Sequence, residues 1–182
     1  MKKYIFGMVI GLLCVPSHAY EQHNEAKARL YNQAGKVIGK VVFSQHKNGV
    51  EVKVNVTDLP PGFHGFHVHT TGQCTIVTTT PPTLPFASAG AHFKLDPASN
   101  HKDHNGDLPV LLVNKNGTAK AEFRTDRFMV KDLFDADGSA VIVHADPDNY
   151  ANIPVRYAPA PDADTLKTGD SGGRSACGVV KY

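Results

Sequence analysis

Gly65-Phe66-His67-Val68-His69 sets two imidazoles two residues apart in an otherwise apolar run. If the run is extended, side chains alternate faces, so His67 and His69 point one way and Phe66 and Val68 the other. Two like-facing imidazoles are half of a nitrogen-rich metal site, or simply two polar residues on the wet face of a strand. His92, in a long polar stretch, and His144, closing the short apolar run from Ser139, could complete such a site. Four imidazoles from these places make a roughly square set of the kind that suits copper(II). A second group, His101-Lys102-Asp103-His104-Asn105-Gly106-Asp107, packs two histidines and a carboxylate close together. With one further nitrogen it makes a four-coordinate zinc site.

Holding such residues still takes strands, and the chain is patterned for them. Ala26 to Asn32 alternates and predicts a first strand, Val37 to His46 a second, and Asn48-Gly49 the tight turn after it. Val50, Val52, Val54 and Val56 fall on one face, with Glu51, Lys53 and Asn55 on the other, as in a half-buried strand. Pro60-Pro61-Gly62 ends it and the two-histidine strand follows. Leu108 to Val113, Ala119 to Phe123, Ser139 to His144 and Ser175 to Val180 read as further strands, and 125–138 as a connection with one helical turn. Residues 70–107 and 145–173 read as two long loops, and excursions of that length inside a compact domain are usually functional. Short strands, many turns and no long amphipathic helix predict an all-β sandwich or barrel.

The chain has 182 residues, enough for one domain with its own core. Residues 1–19 read as a signal peptide: Lys2 and Lys3 open it, Tyr4 to Val15 is a short apolar run, and Ser17-His18-Ala19 offers small residues for cleavage. The run is too short to span a membrane. Residues 20–182 form the expected mature domain, exported to the periplasm of a two-membrane host or otherwise secreted or held at the cell envelope. Without Lys2 and Lys3 it has 17 basic and 17 acidic residues, so nothing at whole-chain level points to nucleic acid or an anionic membrane. Of three cysteines, Cys74 and Cys177 survive cleavage. An even pair in an oxidising compartment reads as a disulfide, with two thiolate metal ligands as the competing reading. Closing a loop of about 100 residues is worth roughly 4–5 kcal/mol in the chain-entropy picture.

Several of these segments together resemble the Cu,Zn superoxide dismutases, in particular the exported bacterial members. Gly62-Phe-His-Gly-Phe-His-Val-His69 resembles the family's copper-binding strand, and Gly90-Ala-His-Phe93 its bridging-histidine segment. Gly106-Asp107-Leu-Pro109 resembles the end of its zinc loop, and Val143-His144-Ala-Asp-Pro-Asp148 the last copper ligand. Gly169-Asp-Ser-Gly-Gly-Arg-Ser-Ala-Cys-Gly-Val179 resembles the family's ending, and the motifs run in order from about residue 26 to 181. The resemblance implies an eight-stranded Greek-key barrel with two long functional loops. It implies copper held by His67, His69, His92 and His144, and zinc held by His92, His101, His104 and Asp107. Asp148 is implied as a hydrogen-bonded link between the two metals, Arg174 as the arginine beside copper that attracts an anion, Lys167 and Thr168 as channel wall, and Cys74–Cys177 as the disulfide.

The activity implied is dismutation of superoxide to dioxygen and hydrogen peroxide, with copper cycling between oxidation states and His92 carrying a proton. The rival is an envelope copper- or zinc-binding protein without turnover, which has no need of Arg174. The substrate partner is the superoxide anion, and the oligomeric state stays open, a homodimer included. One departure stands out: only Lys102 and Asp103 separate His101 from His104, fewer than in the family. His101 therefore reaches zinc by an altered path, or the zinc site is weak. The excursion Thr75 to Ala89 is also longer than in many members. His64 reads as a hydrogen-bonded packing residue, and His23 and His46 as surface residues.

Overall fold

The computed structural model describes residues 24–76 and 84–182, so the expected signal peptide, His23 and the middle of the first excursion lie outside the described residues. Nine strands follow in order: β1 Glu25–Asn32, β2 Val37–His46, β3 Gly49–Val56, β4 Gly62–His64, β5 Phe66–His69, β6 Leu111–Val113, β7 Ala119–Thr125, β8 Ala140–His144 and β9 Arg174–Lys181. Among the described residues, one short helix, α1 Thr165–Thr168, and two 3-10 turns, Ala87–Ala89 and Val130–Leu133, interrupt them. Alternation makes these strands. Ala26, Ala28 and Leu30 of β1 and Val50, Val52, Val54 and Val56 of β3 are buried, while their neighbours face outward. Each fully buried valine of this kind contributes about 1.5–3 kcal/mol relative to exposure.

One antiparallel sheet runs β5-β8-β9-β1-β2-β3-β7, and β4 pairs separately with β6. Only Gly65 divides β4 from β5, so the two are one strand broken at a glycine, and the fold has eight strands in that sense. Gly65 is there because space is short: an added Cβ would meet Ser171 Cβ at 2.6 Å and His67 Cε1 at 3.2 Å. Its N–H donates to the Asp146 carbonyl and its own carbonyl accepts from His144 N–H, both at 2.8 Å. The broken strand joins the small pair to the large sheet, and the turn from β6 to β7, closed by Asn114 and Thr118, brings the far edges together. The links β3 to β4 and β7 to β8 skip neighbouring strands, as Greek-key connections do.

The structure trims one expected strand. Leu108 to Val113 reads as continuous, but only Leu111–Val113 pairs. Pro109 has no N–H to give to a ladder, and Val110 N–H goes to the Tyr150 hydroxyl at 2.8 Å. The main core holds Phe43, Phe66, Val68, Phe93 and Phe128 among its larger members. A smaller cluster gathers Phe86, Ala89, Ala140, Ile142 and Cys177, with Cys74 against it. There the Cys74–Cys177 disulfide pins the first excursion to β9, with Cα atoms 5.7 Å apart.

Candidate metal centre

β5 has a strand neighbour on one edge only, β8, so its other edge needs partners. Loop backbone supplies them: Val68 N–H donates to Gly106 at 2.9 Å, and Phe93 N–H donates back to Val68 at 2.8 Å. These bonds carry His92 beside His69 and Asp107 beside His67, each pair forming an isolated bridge. On β5 itself, Phe66 and Val68 enter the main core while His67 and His69 take the opposite face. All four are fully buried, because the loops roof the histidine face. His144 ends β8 just past a register irregularity, the kind of bulge that re-aims a side chain.

Two clusters result, sharing His92. One candidate ligand atom from each of His67, His69, His92 and His144 lies within 4.8 Å of the others, and the same holds for His92, His101, His104 and Asp107. His69 Nδ1 donates to the Gly90 carbonyl at 3.0 Å and His144 Nδ1 to the Gly172 carbonyl at 3.2 Å. That tautomer leaves both Nε2 lone pairs, 3.4 Å apart, facing the cluster. Asp148 spans the two clusters, with Oδ2 at 2.7 Å from His67 Nε2 and Oδ1 at 2.8 Å from His101 Nε2. His92 Nδ1 sits 2.8 Å from Asp107 Oδ1, on the second cluster's side. Gly169 completes the seat: an added Cβ would collide with both Asp148 Oδ1 and His101 Nε2.

Among the described residues, three buried ring nitrogens in these clusters make no hydrogen bond: Nδ1 of His67, and Nδ1 of His101 and of His104, which stand 3.2 and 3.3 Å from the Asp107 carboxylate. An orphaned buried nitrogen is costly, and here each belongs to a converging set of nitrogen and oxygen donors. Four imidazoles fit copper, and three imidazoles with one carboxylate fit zinc. The donor chemistry therefore fits both ions.

The two clusters differ in charge. Burial pushes His67 and His69 below the ordinary histidine value, His92 to about 4 and His144 to about 2, so these rings are neutral lone-pair donors at pH 7. Burial also opposes charge on His101, but the carboxylates of Asp107 and Asp148 outweigh it and raise the ring to about 9. Burial alone would raise both carboxyls. The surrounding histidines instead hold Asp107 and Asp148 well below the usual carboxylate range.

Arg174 closes the copper side. Its Nη1 donates to the Phe86 carbonyl and its Nη2 to the Gly90 carbonyl, both at 2.6 Å. Burial lowers its pKa, yet a guanidinium stays charged. It lines a cleft of about 340 Å³ together with His69, His144, Lys94, Lys167 and Thr168. Lys167 is largely exposed and lies 3.9 Å from Asp164.

Several contributors had no signal in the sequence. Phe86 holds its carbonyl toward Arg174 from a left-handed conformation, φ 60°, with its ring fully buried. Nothing about a phenylalanine announces a positive φ. Tyr150 stacks on His101, centroids 6.4 Å apart, and lies two residues beyond Asp148, where proximity to a motif was the available hint. His64 is buried with Nδ1 2.7 Å from the His144 carbonyl and Nε2 2.8 Å from that of Pro60, which is the packing role its place in the strand implies. His46 is exposed.

Comparison with known proteins bears on this arrangement. The family model for copper/zinc superoxide dismutase (SODC) matches residues 37–180. A Cu-Zn superoxide dismutase of Mycolicibacterium paratuberculosis is 42% identical over 131 residues, covering 67% of this chain and 57% of the relative. The chain thus spans little more than half the length of its mycobacterial relatives. Cu-Zn superoxide dismutase 2 of Salmonella typhimurium is 32% identical over 188 residues, covering 100% of both chains. The structure of the Cu/Zn superoxide dismutase from Brucella abortus superposes with a TM-score of 0.68 at 28% identity, over 86% of this chain and 99% of that one.

Proposed function

Because this chain belongs to the copper/zinc superoxide dismutase family, we propose that it converts superoxide to dioxygen and hydrogen peroxide. The residues that would hold copper are His67, His69, His92 and His144. Those that would hold zinc are His92, His101, His104 and Asp107. The observation that carries this reading is the pairing of two buried donor sets that share His92, beside a braced guanidinium that lines a cleft.

When bound, copper supplies one-electron oxidation and reduction, and zinc, which has no redox chemistry, supplies fixed positive charge. The protein's own residues do the rest. Arg174 presents a charge to a small anion entering the cleft that it lines. Focused fields of this kind raise on-rates by roughly 10–1000-fold, a range drawn partly from superoxide dismutases themselves. His92 keeps Nδ1 toward Asp107, so Nε2 is the atom placed to hold a proton and pass it to the forming peroxide. Asp148 keeps the rings of His67 and His101 in one orientation.

The protein is further proposed to be exported after cleavage behind Ala19, to the periplasm where the host has two membranes. The disulfide supports an oxidising destination. No helix among the described residues is long and apolar enough to cross a membrane. Metal analysis of purified protein, run beside a superoxide-consumption assay, tests the activity. Equimolar copper and zinc with rapid consumption, lost on copper chelation and regained on copper return, is the expected result. Both metals bound without consumption would instead establish an envelope metal-binding protein.

A further inference from the structure

The shortened zinc loop needs an explanation of its own. With only Lys102 and Asp103 between His101 and His104, the chain turns back through a left-handed Lys102, φ 71°. A non-glycine residue persists there only when its surroundings hold it. On one side the surroundings are plain: His101 N–H donates to the Leu166 carbonyl at 2.7 Å, and Tyr150 stacks on the ring. On the His104 side, besides bonds to Asp107 within the loop, one tie comes from outside it. Arg127, in the connection after β7, donates from Nη1 to the His104 carbonyl at 2.9 Å. Asn105 returns the contact, its Nδ2 donating to the Arg127 carbonyl at 2.5 Å while its Oδ1 accepts from Leu95 N–H at 2.7 Å. Among the described residues, no carboxylate forms an ion pair with Arg127, and its guanidinium bonds to this loop.

We propose that Arg127 and Asn105 form a clasp that positions His104 for zinc, replacing the loop length that this chain lacks. This rests on the zinc reading of His92, His101, His104 and Asp107. The His104 peptide is the natural place to act. Its carbonyl accepts from both Arg127 and Asp107 N–H, and its N–H donates to Asp107 Oδ2 at 3.1 Å. Holding the backbone of His104 on both sides of its Cα therefore sets two zinc donors together, His104 Nδ1 and the Asp107 carboxylate. Arg127 touches no candidate ligand side chain and acts only through the backbone; it is a positioning residue.

The test uses the whole disulfide-bonded protein, stripped of metal and titrated with zinc alone or copper alone against a chromophoric chelator. Arg127→Met keeps the apolar stem and removes the donor. It should weaken zinc binding by about 10–100-fold, the usual cost of losing a group that orients a ligand, and leave copper binding within about twofold. Arg127→Lys restores a donor and should recover part of the loss. Asn105→Ala should weaken zinc comparably, and the double variant little beyond either single one, since the two residues act as a unit. The metal-free melting temperature of Arg127→Met should stay within about 4 °C of the parent. Zinc affinity unchanged in Arg127→Met, or copper and zinc affinity falling together, overturns the clasp. A parent protein that takes copper but no zinc overturns the zinc reading itself, and the clasp with it.

Discussion

The copper side and the zinc side of this centre are built from different material. His67, His69 and His144 stand on β5 and β8, paired strands whose ladder is complete without any ion. His101, His104 and Asp107 all stand on one stretch of loop, held by ties of His101 to Leu166, of Gly106 to Val68 and Phe93, and of His104 to Arg127. Charge follows the same division. The strand-borne rings of His67, His69 and His144 are buried and neutral, whereas the loop-borne set surrounds a His101 that favours its proton between two carboxylates. A ladder can hold neutral donors in place and wait for a metal. A loop carrying carboxylates coheres around a positive charge, and in the absence of zinc a proton on His101 takes that part. The difference teaches that one half is organised by hydrogen-bonded backbone and the other by the cation it receives.

That contrast can be broken in three ways, taken from the largest expected effect. Arg174 belongs to the copper mouth alone, so Arg174→Ile should lower kcat/KM by about 10–1000-fold and flatten its dependence on salt. Zinc affinity should not move; unchanged kinetics would remove the steering role. Next, removal of zinc should speed amide hydrogen exchange in residues 95–107 on the order of 100-fold, the effect expected when the ion is present at about 100 times its dissociation constant. Exchange in β8 and in β5, apart from the Val68 amide that bonds to Gly106, should be unaffected, and equal acceleration in strands and loop would erase the distinction drawn here.

The smallest effect is in pH. His101 is raised from 6.5 to about 9, so its contribution to metal-free stability is complete below about pH 6.5 and is lost as pH rises through about 9. His92 is lowered from 6.5 to about 4, so its contribution is present above about pH 6.5 and is lost as pH falls from there through about 4. Melting of the metal-free protein should fall off on both limbs, by at most about 1.4 kcal/mol per pH unit for each group. His101→Gln should flatten the alkaline limb only. An alkaline limb identical in that variant would show that the loop does not depend on the ring's proton.

Legibility in the sequence followed the same division between strand and loop. Period-two alternation marks β1, β2 and β3 because one face is core and the other water, and their edges fall within a residue of the pattern. His67 and His69 are readable for the same reason, since two residues apart on a strand means one face. Leu108 to Val110 misleads because apolar residues there serve the core and the Tyr150 contact without pairing. The path from His101 to His104 could not be read, because a lysine at positive φ is allowed by tertiary ties and not by its own preference. Arg127 escaped notice for a related reason: it acts through backbone atoms 23 residues away in the chain, and a polar loop arginine looks like any solvated charge.

The disulfide has a bearing on the guanidinium that its place in the fold makes plain. Cys177 follows Arg174 by three residues on β9, and Cys74 anchors the near end of the excursion whose far end offers the Phe86 carbonyl. Both the arm and its rest are thus tethered by one covalent strut that forms only where thiols oxidise. A chain kept in reducing surroundings retains every imidazole it was made with, yet lacks the strut that ties Arg174's strand to the segment its guanidinium rests on, so oxidation of two thiols is itself a step of assembly.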